Sequence, residues 1–323
     1  MRIALTYDLR DDYLAQGYGE EETAEFDQPS TIAALQAAIA HHGHDVERIG
    51  NVRALTRALA ADRRWDLVFN IAEGLYGFGR EAQVPALLEA HGIACTFSDT
   101  LVMSVCLHKG IAKDVLRARG IATPASVVIE HAAQCAGVHL APPLFVKPVA
   151  EGTGKGVTPA GIVRRLEDLP AVCASLIARY RQPVLVETYL PGREFTVGVL
   201  GTGARARVLG ALEVVLRPAA QPGVYSYDNK EHCEELVDYR LATDGAARRA
   251  EAVALDAWRV IGGRDVGRID MRCDEAGAPH LLEINPLPGM HPQHSDLPIL
   301  CAQLGMPYED LVGAIIDSAC ERL

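Results

Sequence analysis

A chain of 323 residues has room for two or three domains. Hydrophobic residues at 49% and charged residues at 23% supply ordinary buried cores, which excludes disorder of the whole chain. The net charge of −11 leaves no basic excess for a nucleic-acid or anionic-membrane surface, although a local basic pocket for a phosphorylated ligand is compatible with it. No run approaches the roughly 18–20 uncharged apolar residues of a membrane span. The opening MRIALTYDLRDD lacks the long apolar core of a secretory signal. The eight cysteines are scattered without a C-x-x-C pair and read as small hydrophobes of a reducing cytosol. The expectation is a soluble cytoplasmic protein.

RIALTY opens the chain as a short apolar run. STIAALQAAIAHH (Ser30 to His42) predicts a helix capped by Ser30 or Thr31 and stopped by Gly43. DLVFNIA, residues 66–72, predicts a buried strand, and EAQVPALLEAHG a helix closed by Gly92. This alternation argues for a parallel sheet covered by helices. From Lys109 the character changes: a helix to Gly120, an extended ATPASVVI, a strand in PPLFVKP, a glycine-rich turn over 151–156 and a strand from Pro183 to Leu190. Short strands dominate from REFTVGVLG onward, with a helix over AARRAEAVALDAWRVIG and strands in GRIDMRC and HLLEINP. No internal repeat is present. Soft boundaries fall near residues 106 and 190.

Three segments carry chemistry. In FVKPVAEGTGKGV a strand lysine, Lys147, precedes glycines, so an ammonium stands beside backbone N–H groups that phosphate oxygens can approach closely. The order differs from G-x-x-x-x-G-K-[ST], and alone the segment reads equally well as a hairpin with exposed lysines. ETYLPGREF places Glu187 at a strand end and Glu194 seven residues on, suited to an amino group or ribose hydroxyls, or simply to two solvated acids beside a turn. In GRIDMRCDEAGAPHLLEINPLPG, alternation puts Arg268 with Asp270 and Glu283 with Asn285 on one face of a hairpin. Four such groups cannot be buried unpaired cheaply, and the oxygen donors suit Mg²⁺ bound with nucleotide phosphates better than a bare salt-bridge cluster.

Together these segments resemble the ATP-grasp superfamily and, within it, the D-alanine–D-alanine ligase family, over most of the chain. The resemblance implies a mixed α/β and α+β ATP-grasp fold in three domains. These are an N-terminal parallel α/β domain (1–106), a small central α+β subdomain with the glycine-rich loop (107–190) and a C-terminal antiparallel-sheet α+β subdomain with the metal site (191–323). It implies that Lys109 and Lys147 contact ATP phosphates, that Glu187 and the backbone of Leu190 meet adenine, and that Glu194 meets the ribose. It further implies two Mg²⁺ ions, with Mn²⁺ as a substitute, on Asp270, Glu283 and Asn285. Arg268 and the Gly289 N–H would stabilise developing negative charge, Thr153 would stand near the substrate, and Lys230 would lie on a loop closing over the phosphates.

The departures all lie on the amino-acid side. The family's opening Gly-x-Ser-x-Glu is absent, Glu73-Gly74 replaces the usual His-Gly, Glu231 or His232 stands where the closing-loop tyrosine is expected, and Asp296 follows Ser295 in place of an apolar residue. Glu25 or Glu73 is the substitute carboxylate for an ammonium. Arg80, at a helix start, reads either as holding a carboxylate or as an exposed capping region. His291 and His294 form an H-x-x-H without the two further ligands that zinc needs, so they read as substrate contact or loop histidines. The cluster His41, His42 and His44 reads as solvated at a helix end. The reading is an ATP-dependent carboxylate–amine ligase with amino acids or amino-acid-like small molecules as substrates, working through an acyl phosphate, with a homodimer as the candidate assembly. A nucleotide-binding regulatory protein and a ligase with a hydroxy-acid acceptor are the rivals.

Overall fold

The computed structural model describes all 323 residues, in three sheets. The first is parallel, in the order β2-β1-β3: β1 (Arg2–Thr6), β2 (Asp45–Gly50) and β3 (Leu67–Asn70). β3 is buried on both faces and accordingly reads as an apolar run ending in Asn70. The first long helix runs Pro29–His41, one residue earlier than predicted, and neither Ser30 nor Thr31 caps it. Proline in the first turn needs no N–H partner and its fixed φ suits a helix start, so Gln28 becomes the cap residue without a side-chain bond. Short helices at Arg10–Leu14 and Thr100–Leu107 carry too little periodicity to be predicted.

The second sheet is antiparallel, in the order β4-β7-β5-β6: β4 (Ser126–Ile129), β5 (Leu144–Pro148), β6 (Ile162–Val163) and β7 (Val184–Thr188). The glycine-rich turn after β5 contains Thr153 at φ 52°, followed by Gly154 at φ 74°.

The third sheet, antiparallel in the order β10-β9-β8-β11-β12, comprises β8 (Glu194–Leu200), β9 (Arg207–Leu216), β10 (Val237–Ala242), β11 (Val266–Cys273) and β12 (Pro279–Asn285). The helix Gly245–Ile261 covers it with Ala247, Ala250, Ala254, Ala257 and Trp258, an apolar stripe at helical spacing, and Asp244 caps its start by accepting from the Ala246 and Ala247 N–H groups. Gly267 on β11 is required there: a Cβ would collide with the Trp258 ring. The last helices, Asp296–Gln303 and Tyr308–Cys320, pack back on the parallel sheet, so Leu297, Leu311 and Ile315 share a core with Ile3, Leu5 and Ile32. No single helix is long and apolar enough to cross a membrane.

Candidate active site

Register places the charged residues. On β11 and β12, Arg268 lies opposite Asn285 and Asp270 opposite Glu283, while on the other side Arg272 lies opposite Glu194 and Asp270 opposite Thr196. The four residues predicted to share one face do so. Arg268 grips Asp270 through Nε at 3.0 Å and Nη2 at 2.9 Å, Thr196 Oγ1 donates to Asp270 Oδ1 at 3.0 Å, and Asn285 Nδ2 reaches Asp270 Oδ2 at 3.2 Å.

A cleft of about 700 Å³ lies between the second and third sheets, lined by Lys109, Lys147, Glu187, Leu190, Glu194, Lys230, Asp270, Arg272 and Glu283. Lys109 Nζ stands 3.1 Å from Glu283 Oε2 and donates to the Glu151 carbonyl at 2.6 Å. Lys147 Nζ pairs with Glu187 Oε1 at 2.8 Å, and Lys113, four residues after Lys109 on the same helix, pairs with Glu187 Oε2 at 3.1 Å. Burial alone would raise the Glu187 carboxyl, but the two ammonium groups bring it below its ordinary range. Burial lowers Lys113 to about 8. Glu187 is thus clamped between two lysines. Sequence reasoning missed Lys113, although its i,i+4 spacing from Lys109 was the available signal. It also missed Arg272, which pairs with Glu194 at 3.3 Å and donates to the Gly223 carbonyl.

Burial opposes the charge of Glu283, yet Lys109, Lys147, Lys230 and Arg268 hold it well below the usual carboxylate range. Asp270 is raised by burial despite Arg268. With the Asn285 amide nitrogen turned to Asp270 and the Arg268 carbonyl, the donors at this point are oxygens, the set that suits a hard divalent cation.

A second cavity, about 1580 Å³, adjoins the first and shares Tyr225 and Lys230 with it. Thr153, Glu73, Arg268, Asn285, Gly289, His291, Ser295 and Asp296 line it. Gly289 is closely approached, since a Cβ there would lie 2.7 Å from Ser295 Oγ, which accepts from the His291 N–H. Asp296 is buried between Arg268, at 3.6 Å, and the Tyr225 hydroxyl, at 3.3 Å. Arg80 is buried and not among the lining residues: its guanidinium is bound to Glu25 at 2.9 Å and to the Ala150 carbonyl at 2.8 Å, so it holds a carboxylate of the chain itself. That corrects the exposed-cap alternative. Glu25 also accepts from the Gly152 N–H and pairs with Lys155 at 3.3 Å, which fixes the base of the glycine-rich turn. Burial opposes its charge, but these partners hold it down to about 2. Glu25 is therefore spoken for.

Asp27, Glu73 and Glu81 differ: all three face the second cavity without an ion-paired partner. Burial pushes Asp27 up to about 8 and Glu81 up to about 7, and raises Glu73 well above its ordinary value. Asp27 and Glu81 escaped sequence reasoning, because nothing in their neighbourhood marks them apart from solvated acids.

Residues 117–317 match the family model of the D-ala D-ala ligase C-terminus. The D-alanine–D-alanine ligase of Xanthomonas axonopodis pv. citri is 34% identical over 290 residues, 87% of this chain and 86% of that protein. That of Bordetella pertussis is 35% identical over 295 residues, 90% of this chain and 88% of that protein. The crystal structure of D-alanine–D-alanine ligase from Bacillus anthracis is similar with a TM-score of 0.76 at 20% identity, covering 100% of this chain and 98% of the other. The VanG D-Ala:D-Ser ligase from Enterococcus faecalis gives 0.74 at 21% identity, covering 98% and 99%. The solved structures carry the ATP-grasp fold; the sequence relatives carry the family. The chain is therefore an ATP-dependent amide-bond ligase for small molecules, and it belongs to the D-alanine–D-alanine ligase family.

Proposed function

We propose that this ligase joins a carboxylate substrate to an acceptor carrying more than one amino group, through an acyl phosphate, and that D-alanine alone is a poor substrate pair. The carrying observation is the second cavity, lined by seven carboxylates against three Arg and Lys, with Asp27, Glu73 and Glu81 unpaired. Raised by burial, these carboxyls hold their protons near neutral pH and ionise where a cation stands beside them, so a single ammonium pairs with one of them and two or three pair with the cluster. Burying unpaired carboxylates costs several kcal/mol, so a cationic guest gains what the empty pocket lacks.

On this reading Lys109 and Lys147 bind the nucleotide phosphates, Glu194 and Arg272 flank the ribose, and the Leu190 backbone and Glu187 meet the base. Glu187 does so while held by its two lysines. Asp270, Glu283 and Asn285 would hold Mg²⁺, which offsets phosphate charge when bound. Arg268 and the Gly289 N–H stabilise charge developing on the acyl group, and Lys230, between the two cavities, steadies the phosphate that departs. Thr153, His291, Ser295 and Asp296 shape the acceptor side. The division at 106 and 190 is proposed with it, supported by one sheet to each part.

Phosphate release from ATP, screened over D- and L-amino acids in pairs with and without diamino acids, tests the proposal. Stimulation by diamino compounds above any monoamino pair is expected. Equal or better turnover with monoamino pairs alone refutes the acceptor assignment.

A further inference from the structure

Two segments meet at the rim of the second cavity. One is the stretch from Tyr227 to Leu236, two short helices that carry Lys230. The other is the loop HPQHS that precedes the helix Asp296–Gln303. At their junction Cys233 Sγ lies 3.6 Å from His294 Nδ1, and the same nitrogen lies 3.0 Å from Glu234 Oε1. All three atoms fall within 4.8 Å of one another.

A proton does not account well for this convergence. Nδ1 can carry one hydrogen, which the carboxylate at 3.0 Å takes, leaving the sulfur at 3.6 Å at most a weak share of it. A cation bound to all three does account for it. With metal–sulfur and metal–nitrogen bonds of about 2.3 and 2.0–2.1 Å, tetrahedral ligands stand about 3.6 Å apart, and the Sγ to Nδ1 separation matches; nitrogen and oxygen ligands stand about 3.4 Å apart, against 3.0 Å here, a shift open to the exposed Glu234 side chain. The charges balance as well, since a thiolate and a carboxylate neutralise a divalent ion while the imidazole stays neutral. Cys233 is buried among Val214, Tyr225 and Val237, whereas the Glu234 side chain is 65% exposed, so an ion can enter from solvent. The mixed S, N, O set selects a borderline-soft metal over Mg²⁺.

We propose that Cys233, Glu234 and His294 form a zinc-class metal site with an open fourth position, which fastens the segment bearing Lys230 to the loop bearing Ser295. Sequence alone offered only H-x-x-H, and His291 is not the partner: its Nδ1 accepts from the Gln293 and His294 N–H groups. The missing ligands are 60 and 61 residues upstream. The site is separate from Asp270, Glu283 and Asn285, which include no thiol.

Titration of chelator-treated full-length protein with Co²⁺, in excess Mg²⁺ and without ATP or acceptor, tests the site independently of the ligase reading. One equivalent of Co²⁺ should produce a thiolate-to-cobalt charge-transfer band that Zn²⁺ abolishes. The Cys233→Ser variant should lose the band, and Glu234→Gln, at an exposed side chain, and His294→Gln, at a half-buried one, should weaken Co²⁺ binding at least about tenfold, the lower end of what even an outer-shell partner contributes. Absence of the band in the wild type overturns the proposal. So does a band that survives in Cys233→Ser, or a titration unchanged in both of the other variants.

Discussion

The Lys109 ammonium and the Glu283 carboxylate stand 3.1 Å apart, although 174 positions (283 − 109) separate them in the chain. This contact joins the helix Lys109–Ala118 to β12 in the lining of the first cleft. Glu283 holds its charge against burial because Lys109, Lys147, Lys230 and Arg268 surround it. Replacing it by Gln keeps the shape and removes the charge. Glu283→Gln should retain a cooperative thermal transition while turnover falls at least about 100-fold, the scale of one lost electrostatic contact in the transition state. Circular dichroism and phosphate release measure the two together; unchanged turnover places the metal elsewhere.

Lys147→Ala bears on the nucleotide alone. Ligand at about 100 times its dissociation constant adds about 2.7 kcal/mol to stability, so Mg·ATP should raise the melting temperature of the wild type visibly. The variant should lose most of that shift. Glu187 keeps Lys113 as its partner, so the variant should still fold.

Buried and exposed ion pairs make a contrast within one region. Glu25 and Arg80 are each under 10% exposed, and removing one partner of such a pair costs about 3–5 kcal/mol. Glu21, on the same stretch as Glu25, pairs at 2.5 Å with Arg179 of the helix Leu169–Tyr180, but the Arg179 side chain is 64% exposed and such pairs contribute about 0–1 kcal/mol. In urea titrations Glu25→Gln should lower the midpoint strongly and Glu21→Gln should barely move it. Comparable effects would mean that Glu25 does not anchor the glycine-rich turn.

The unpaired carboxylates give a pH dependence of known sign. A carboxyl raised in the folded state adds no penalty below its unfolded pKa, and the penalty grows until the folded pKa is passed. For Asp27 and Glu81, raised by burial to about 8 and about 7, that window runs from about pH 4 to pH 8. Asp8 faces Asp27, while Arg80, Glu25, Lys109 and Glu283 surround Glu81. Asp27→Asn and Glu81→Gln should therefore stabilise the ligand-free protein above pH 8 by at least about 1 kcal/mol, or 2–4 °C in a domain of 150–250 residues, with no gain at pH 4. A gain independent of pH would contradict the burial of these groups as charges.

Much of the charged face in the first cleft was legible because strand alternation fixes which side chains share a face. Arg268, Asp270, Glu283 and Asn285 follow from period two and one turn, and Lys147 from a strand that runs into glycines. Contacts between remote segments were not. The roles of Glu25 and Arg80 depend on how the residues before the first long helix fold over the glycine-rich turn, and Cys233 reaches His294 only after β10, β11 and β12 pair. Helix starts failed locally, as at Pro29, where ring geometry displaced the Ser30 cap.

The acceptor claim is tested most directly by steady-state kinetics with D-alanine as the sole amino acid. One ammonium leaves two of the three carboxylates Asp27, Glu73 and Glu81 unmatched, and each lost ~1.4 kcal/mol is tenfold in kcat/KM. The expected kcat/KM lies at least about two decades below that measured in parallel for the Xanthomonas and Bordetella relatives. A value equal to theirs would contradict it.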